Sequence, residues 1–172
     1  MILKRLRLNS VQKTFNRLLK EVKYQYTNDK IKTIGILIHH DEFRSYDQLE
    51  RVFKSLGFTH NQFTVLSFID EEETTVNSWD NTFKQEDFGW KGKILNPEVE
   101  TFIANTFDAL VSYYNGNHLE LNMVALLSKA KFKIGLNNHH PELYQLFISL
   151  DVKYVDVFHS ELEKYLRTLN KL

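Results

Sequence analysis

The strongest constraint on the fold is an alternation that begins near residue 32 and continues to the end of the chain. Short apolar runs rich in β-branched residues alternate with longer segments in which apolar residues recur every third or fourth position. The short runs are typical of buried parallel strands, and the longer segments are typical of amphipathic helices. Chains that alternate in this way fold into a parallel sheet with helices on both faces. The sequence therefore predicts the α/β class.

Five strands are expected in this part of the chain, at IKTIGILIHH, QFTVLSFID, DALVSYY, KFKIGL and KYVDVF. The helices between and after them are predicted at SYDQLERVFKSLGF, NPEVETFIANTF, NHLELNMVALLSKA, PELYQLFISL and SELEKYLRTLNKL. The chain contains no repeat, linker or low-complexity segment. Residues 1–172 are therefore predicted to form a single three-layer α/β domain, Rossmann-like or flavodoxin-like, with mostly parallel strands. The commonest order for five such strands is 2-1-3-4-5.

The net charge of zero conceals a division between a basic start and an acidic remainder. Residues 1–32 carry nine Lys or Arg against two acidic side chains, a balance of +7, and the rest of the chain carries −7. Residues 1–31 are predicted to form a basic amphipathic N-terminal helix capped by Ser10. Its apolar face consists of Val11, Phe15, Leu18, Leu19 and Val22. Its basic face consists of Lys13, Arg17 and Lys20.

Three roles for that basic face stay open. It is solvated, or it docks on the acidic body of the same chain, or it contacts an anionic partner.

Several classes of site are excluded by what the sequence lacks. The chain has no cysteine, so disulfides, thiolate metal sites and cysteine nucleophiles are excluded. The first strand leads into IHHDEFRS rather than a G-x-G-x-x-G turn, and no G-x-x-x-x-G-K-[ST] loop occurs, so no cofactor is expected. No apolar run approaches the roughly 18 residues that cross a membrane. The start MILKRLRLNS does not have the features of a secretory signal, so the cytoplasm is the expected compartment.

Polar side chains follow each predicted strand, at the edge where open α/β sheets bind ligands. The ligand-binding candidates at these strand ends are His39, Asp41, Asp70, Asn115, His118 and Asn137. Adjacent histidines on a strand point to opposite faces, so the doublets at 39–40 and 139–140 each supply one ligand easily, and no metal site is predicted. The helix that starts in NGNHLE either holds an anion at its N-terminus or is capped by Asn117 and Glu120.

Residues 71–96 form a polar insertion that contains both tryptophans of the chain. Because it follows the second strand, it is predicted to fold over the carboxyl ends of the strands, with Trp79 or Trp90 buried there. An ordered insertion of this length is uncommon without a role. With the basic face of the N-terminal helix it supplies the partner-binding candidates, which are Lys13, Arg17, Lys20, Trp79, Trp90, Lys91 and Lys93. The alternative is that it covers the sheet for stability alone.

Several segments also resemble a known family. NSWDNTF, DFGWKGKI, FDALVSYY, HLELNMVALLSKAKFKIGL, LRTLNKL and the start MILKRLR look like a domain of unknown function found in small proteins of the Bacteroidota. This resemblance covers nearly the whole chain and implies no activity. Residues 108–136 are also similar to the N-terminal half of heptosyltransferase-like glycosyltransferases, which implies a Rossmann-like fold.

Two functions remain open at this point. The first is a non-catalytic binding or adaptor protein that holds a partner, such as RNA, the ribosome or a protein, through its basic helix. The alternative is a small enzyme, or an enzyme subunit, that acts on a phosphorylated or nucleotide-like ligand at the strand ends. No nucleophile and base can be paired from the sequence, so the first is favoured. A deep pocket with a histidine of strongly shifted pKa would favour the second.

Overall fold

A computed structural model describes residues 1–24, 26–70, 81–136 and 139–172 of the chain. The helices are α1 (Ile2–Leu19), α2 (Tyr46–Ser55), α3 (Pro97–Ala104), α4 (Leu119–Leu127) and α5 (Val155–Thr168). The strands are β1 (Ile34–His39), β2 (Phe63–Phe68), β3 (Asn81–Phe83), β4 (Ala109–Tyr113), β5 (Phe132–Leu136) and β6 (Leu146–Ile148). Short 3-10 turns lie at His60–Gln62, Gln85–Asp87, Trp90–Gly92 and Pro141–Leu143. Among the described helices, none has the length and hydropathy needed to cross a membrane.

Within the described chain, the strands form one six-stranded sheet in the order β3-β2-β1-β4-β5-β6, and every neighbouring pair is parallel. The predicted α/β class is therefore confirmed. The first four predicted strands are β1, β2, β4 and β5, and they lie in the predicted order. The whole order is that of Rossmann folds, and the winding reverses between β1 and β4. The switch point therefore lies beyond His39 and Tyr113.

The end of the chain differs from the prediction. KYVDVF, predicted as the fifth strand, leads into α5, because Val155, Phe158 and Leu162 form a buried helical stripe. The last strand, β6, instead lies inside the segment predicted as the helix PELYQLFISL, where Pro141 begins only a 3-10 turn. Three apolar residues fit either kind of element, and pairing with β5 decides in favour of a strand. Strand β3 lies in the insertion, where no strand is predicted.

Helices cover both faces of the sheet. Helices α2 and α5 pack on one face of the sheet. Their buried side chains contact Ile34, Ile36 and Ile38 of β1 there. Helices α1, α3 and α4 contribute to the core on the other face, which receives Leu37. This alternation is expected for a strand that is buried on both sides, and it explains why β1 is apolar up to its last residue.

Helix α4 is buried along its middle because α1 covers the side of it that faces away from the sheet. All residues from 120 to 125 are buried, which contact with one sheet face alone does not achieve for a helix. Helix α1 packs against α4 and buries Val11 and Phe15 almost completely. Full burial of such a side chain stabilises a fold by about 2 kcal/mol. The N-terminal helix is thus part of the core and keeps one free face.

Helix α1 begins at Ile2 rather than after Ser10, so the predicted cap is wrong. Ser10 lies inside the helix, and its hydroxyl accepts the backbone N–H of Lys91 at 3.0 Å. The sequence pattern missed the first turns because Ile2 and Leu6 are exposed and do not extend the buried face. The predicted apolar face is confirmed at Val11 and Phe15. Its other members, Leu18, Leu19 and Val22, are only partly buried.

Candidate functional site

The strand ends bring the predicted ligand-binding residues together, except Asn137, which lies outside the described residues. His39 ends β1, and its Nε2 atom lies 3.2 Å from Oδ2 of Asp70, just after β2. The ring of His39 stacks on that of His118, which precedes α4, with 4.1 Å between the ring centroids. Asp41 lies close enough to His39 and Asp70 for one ligand atom of each to fall within 4.8 Å of the others. Asn115 follows β4 in the same group.

Glu42 joins these strand ends and was not predicted as a site residue. Its carboxylate accepts the backbone N–H of Gly116 at 3.0 Å and that of Asn115 at 2.5 Å. The Nε2 atom of His118 lies 2.6 Å from Oε1 of Glu42. Burial by itself would raise the pKa of Glu42, but the hydrogen bonds from His118 and Asn115 outweigh it and hold the pKa below its ordinary value.

The loop NGN after β4 therefore has no free amide group at Asn115 or Gly116 for an anionic ligand. Both N–H groups are taken by the carboxylate of Glu42. The first turn of α4 also holds Glu120, a buried carboxylate that accepts a hydrogen bond from Gln85 at 2.9 Å. The expected capping pair is absent as well, because Asn117 accepts a hydrogen bond from Asn122 at 2.7 Å. The carboxylates of Glu42 and Glu120 at this end of α4 repel a phosphate.

The two histidines of the first doublet point to different neighbours, as the sequence predicts. His39 is only 2% exposed and faces His118. Its burial, and then the neighbouring His118, lower its pKa, so the imidazole is held in the neutral form. The Nδ1 atom of His40 lies 3.2 Å from the hydroxyl of Tyr46, on the side of α2. The doublet at 139–140 faces the loop after β4, where Nε2 of His139 lies 3.0 Å from the carbonyl oxygen of Asn115.

A second candidate site lies on the outer side of α1. The turn Trp90–Gly92 packs against α1, and together they border an open groove of about 880 Å³. We call this surface the basic groove; its side chains include Leu6, Ser10, Lys13, Arg17, Trp90 and Lys91. Two groups of partner-binding candidates from distant parts of the sequence thus form one surface. Lys20 and Lys93 are exposed nearby in the chain but are not among the residues that line the groove.

The turn that presents Trp90 has an unusual backbone. Lys91 adopts a left-handed conformation, with φ of 56° and ψ of 25°, which costs a residue with a side chain about 1 kcal/mol. Gly92 follows with φ of 75°, and a Cβ atom there would lie 2.2 Å from the terminal carbon of Met123. The positive φ favours glycine at this position, whereas the flexible end of the Met123 side chain can move aside. Trp90, the first residue of the turn, is 53% exposed.

Part of the insertion, residues 71–80, lies outside the described residues. The expectation that Trp79 or Trp90 is buried over the strand ends stays a prediction, because Trp79 is one of those residues, while Trp90 is 53% exposed. Phe83 and Phe88 are the buried aromatic anchors instead, and they join the core beneath α1. Gln85 does reach the strand ends, through its hydrogen bond to Glu120. The segment 81–96 thus adds an edge strand and a support for α1.

Comparison with known proteins gives a family but no activity. Neither a curated protein nor a solved structure matches the chain. The partial likeness to heptosyltransferase-like glycosyltransferases therefore has no support from these comparisons. A model described as a family of unknown function, DUF6913, matches residues 7–169, which is most of the sequence. The chain belongs to this family of unknown function.

Proposed function

We propose that the protein is a non-catalytic RNA-binding adaptor that holds single-stranded RNA, free or exposed on the ribosome, in the basic groove. One observation carries this proposal: an exposed tryptophan, Trp90, lines the same groove as Lys13, Arg17 and Lys91. Surfaces that bind single-stranded nucleic acid combine an aromatic platform with cations that follow the phosphates. The ligand chemistry is therefore an unpaired base next to a polyanionic backbone.

The aromatic part of the groove suits an unpaired base. Trp90 is 53% exposed, although a tryptophan normally buries most of its surface. Stacking of a base on such a ring is worth about 1–3 kcal/mol, whatever the base. Because a base inside a duplex is already stacked, we expect duplex RNA to bind more weakly than unpaired RNA.

The cations of the groove are available to phosphates. Among the described residues, Lys13 and Lys91 form no ion pair, and Arg17 pairs with Glu21 at 3.4 Å on an exposed surface. An exposed pair of this kind contributes little and competes weakly with a phosphate. This pattern speaks against docking of the basic face on the acidic body of the same chain. It favours a partner from outside.

The backbone of the turn gives a further reason. A glycine at position 91 would relieve the left-handed strain, yet the residue there is a lysine that lines the groove. Residues in strained conformations concentrate at functional sites, where the side chain has a role beyond stability. The strain at Lys91 therefore supports a binding role for this surface.

The alternative function, an enzyme acting on a phosphorylated ligand at the strand ends, has weaker support. The amide groups of Asn115 and Gly116 are occupied by Glu42, and the carboxylate of Glu120 lies in the first turn of α4. An incoming phosphate would have to displace a carboxylate and would meet a second one. Because RNA is the proposed ligand, we expect the protein to act in the cytoplasm of a bacterium.

The test is binding of a fluorescently labelled oligouridine, followed by anisotropy. Wild type is compared with a variant in which Lys13, Arg17 and Lys20 are each replaced by Glu. A control variant carries the same three charge reversals at Arg51, Lys54 and Lys153, which are exposed on α2 and before α5. We expect the first variant to bind at least roughly tenfold more weakly and the control to bind nearly as wild type. If wild type does not bind at low salt, or both variants lose affinity equally, the proposal fails, and a protein partner takes its place.

A further inference from the structure

The acidic strand ends lead to an inference that shares no residue with the basic groove. Ligand atoms of His39, Asp41 and Asp70 all lie within 4.8 Å of one another, and we call these three residues the strand-end cluster. The side chains come from the ends of two adjacent parallel strands, β1 and β2. We propose that the strand-end cluster binds a first-row divalent transition-metal ion such as zinc.

The buried histidine is the first argument for a ligand here. His39 is 98% buried, yet neither of its ring nitrogens has a hydrogen bond within the described chain. The Nε2 atom lies 3.2 Å from Oδ2 of Asp70, a close approach without hydrogen-bond geometry. Buried polar atoms nearly always have a partner, so a bare imidazole nitrogen facing a carboxylate indicates a missing one. A cation between the two groups would satisfy both.

The charge around the cluster is the second argument. Asp41 and Asp70 lie close together, Glu42 follows Asp41 in the chain, and Arg44 donates to Asp41 at 2.8 Å. Glu42 has the ring nitrogen of His118 at 2.6 Å, whereas Asp70 has no Lys or Arg partner among the described residues. A carboxylate that accepts one hydrogen bond keeps lone pairs for a metal, so the contact from Arg44 leaves Asp41 able to act as a ligand. A divalent ion would balance the two aspartates.

The donor set decides the class of metal. Imidazole suits zinc, copper, iron and nickel, whereas sites for magnesium and calcium are built from oxygen ligands. One imidazole and two carboxylates are a donor set that zinc accepts, and three protein ligands leave a position open for water. The sequence predicted no metal site because each histidine doublet offers one ligand. His40 indeed points away, toward Tyr46, and the aspartates supply what the second histidine cannot.

The experiment is a calorimetric titration of zinc, and separately of magnesium, into chelator-treated protein. Asp70→Asn keeps the size of an exposed side chain and removes one ligand charge. Glu50→Gln is the matched control, because Glu50 lies 3.1 Å from the exposed His60 and offers an ordinary surface histidine–carboxylate pair. We expect one tight zinc ion per chain, no comparable magnesium binding, a loss of roughly tenfold or more in Asp70→Asn and no loss in Glu50→Gln.

A second readout distinguishes ligation from unspecific binding. Zinc bound at the cluster shifts the ring nitrogen resonances of His39 in an NMR spectrum, while those of His60 stay in place. The proposal is overturned if zinc does not bind saturably, if Asp70→Asn binds as tightly as wild type, or if the shifts appear at His60 rather than His39. These outcomes do not depend on RNA, so failure here leaves the RNA proposal intact.

Discussion

The loop after β4 and the basic groove use polar groups in opposite ways. In the loop, Glu42 accepts from Asn115 and Gly116 and lies 2.6 Å from His118, so its charge is satisfied inside the fold. In the groove, Lys13 and Lys91 have no ion-pair partner within the described chain, and the ring of Trp90 faces solvent. Polar groups that satisfy one another hold a fold together, whereas exposed cations beside an exposed ring are available to a ligand. The difference separates a structural network from a binding surface.

The largest change in stability is expected from a substitution that removes the contact between α1, which lines one side of the basic groove, and the core. Phe15→Ala removes a side chain with no exposed surface and should lower the free energy of unfolding by about 3–5 kcal/mol. Urea unfolding followed by circular dichroism measures this. The neighbouring exposed change Lys13→Ala serves as control and should stay within about 0.5 kcal/mol of wild type. A loss below 1 kcal/mol for Phe15→Ala would show that α1 is a separable arm rather than part of the core.

The second-largest change in stability is expected from the hydrogen bonds of Glu42 to the loop after β4. Glu42→Gln puts an amide where two backbone N–H groups need acceptors, and should cost about 1–3 kcal/mol of unfolding free energy at neutral pH. The exposed Glu142→Gln should cost almost nothing. An equal loss in both variants would mean that the contacts of Glu42 contribute nothing to the fold.

The same residue has a pH signature whose sign follows from its lowered pKa. A carboxylate with a folded-state pKa below its unfolded value stabilises the protein above the unfolded pKa, about 4.3 for glutamate. That stability is lost as the pH falls through the lowered folded-state pKa. The stability gap between wild type and Glu42→Gln should therefore be widest at neutral pH and close on acidification. A gap that does not change with pH would contradict the lowered pKa.

Trp90→Ala separates binding from stability in the groove. It should weaken binding of oligouridine by about 1–3 kcal/mol and change the free energy of unfolding by less than about 1 kcal/mol. Tyr154 provides a matched control, because it is 51% exposed on the other side of the molecule. Tyr154→Ala should leave RNA binding unchanged. Equal losses in the two variants would remove the stacking role of Trp90.

The smallest effects are expected from replacing Lys91, the lysine with the left-handed backbone. The change should stabilise the fold and weaken RNA binding. Lys91→Gly should raise the free energy of unfolding by up to about 1 kcal/mol, because glycine accepts the left-handed conformation. RNA binding should fall slightly, since one cation is lost. Lys93→Gly is the control: Lys93 has φ of −59°, so glycine there relieves no strain and should not stabilise. If both glycines act alike, strain at Lys91 is not the cause.

Most of the fold could be predicted from the sequence. The predictions that were wrong failed for physical reasons. β1, β4 and β5 are buried along their whole length and β2 over its second half, and such apolar runs leave a clear pattern. β6 has only three residues, at the edge of the sheet, and α5 begins with VDVF, which fits a strand equally well. In both places the choice between helix and strand depends on which distant segment the residues contact. The local sequence pattern does not contain this information.

The sites were predicted less completely. The rule that ligands bind at strand ends located His39, Asp41 and Asp70, but Glu42 was missed. Its partners are backbone amides 73 and 74 positions away, and contacts of this kind leave no periodic signal in the sequence. A signal was available in the loop NGN, whose amide groups need an acceptor. The basic groove was predicted in two pieces, because their union depends on long-range packing of the turn Trp90–Gly92 against α1, including the hydrogen bond from Lys91 to Ser10.

The most direct test of the RNA proposal is the position of the bound RNA. Oligouridine that carries 4-thiouridine is crosslinked to the wild-type protein by long-wavelength light, and the crosslinked peptides are identified by mass spectrometry. We predict crosslinks within residues 6–17 and at residues 90–91, the two sides of the basic groove. The RNA proposal would be contradicted by crosslinks confined to the strand ends or to α2 and α5. It would also be contradicted if an excess of unlabelled RNA did not reduce the crosslinks.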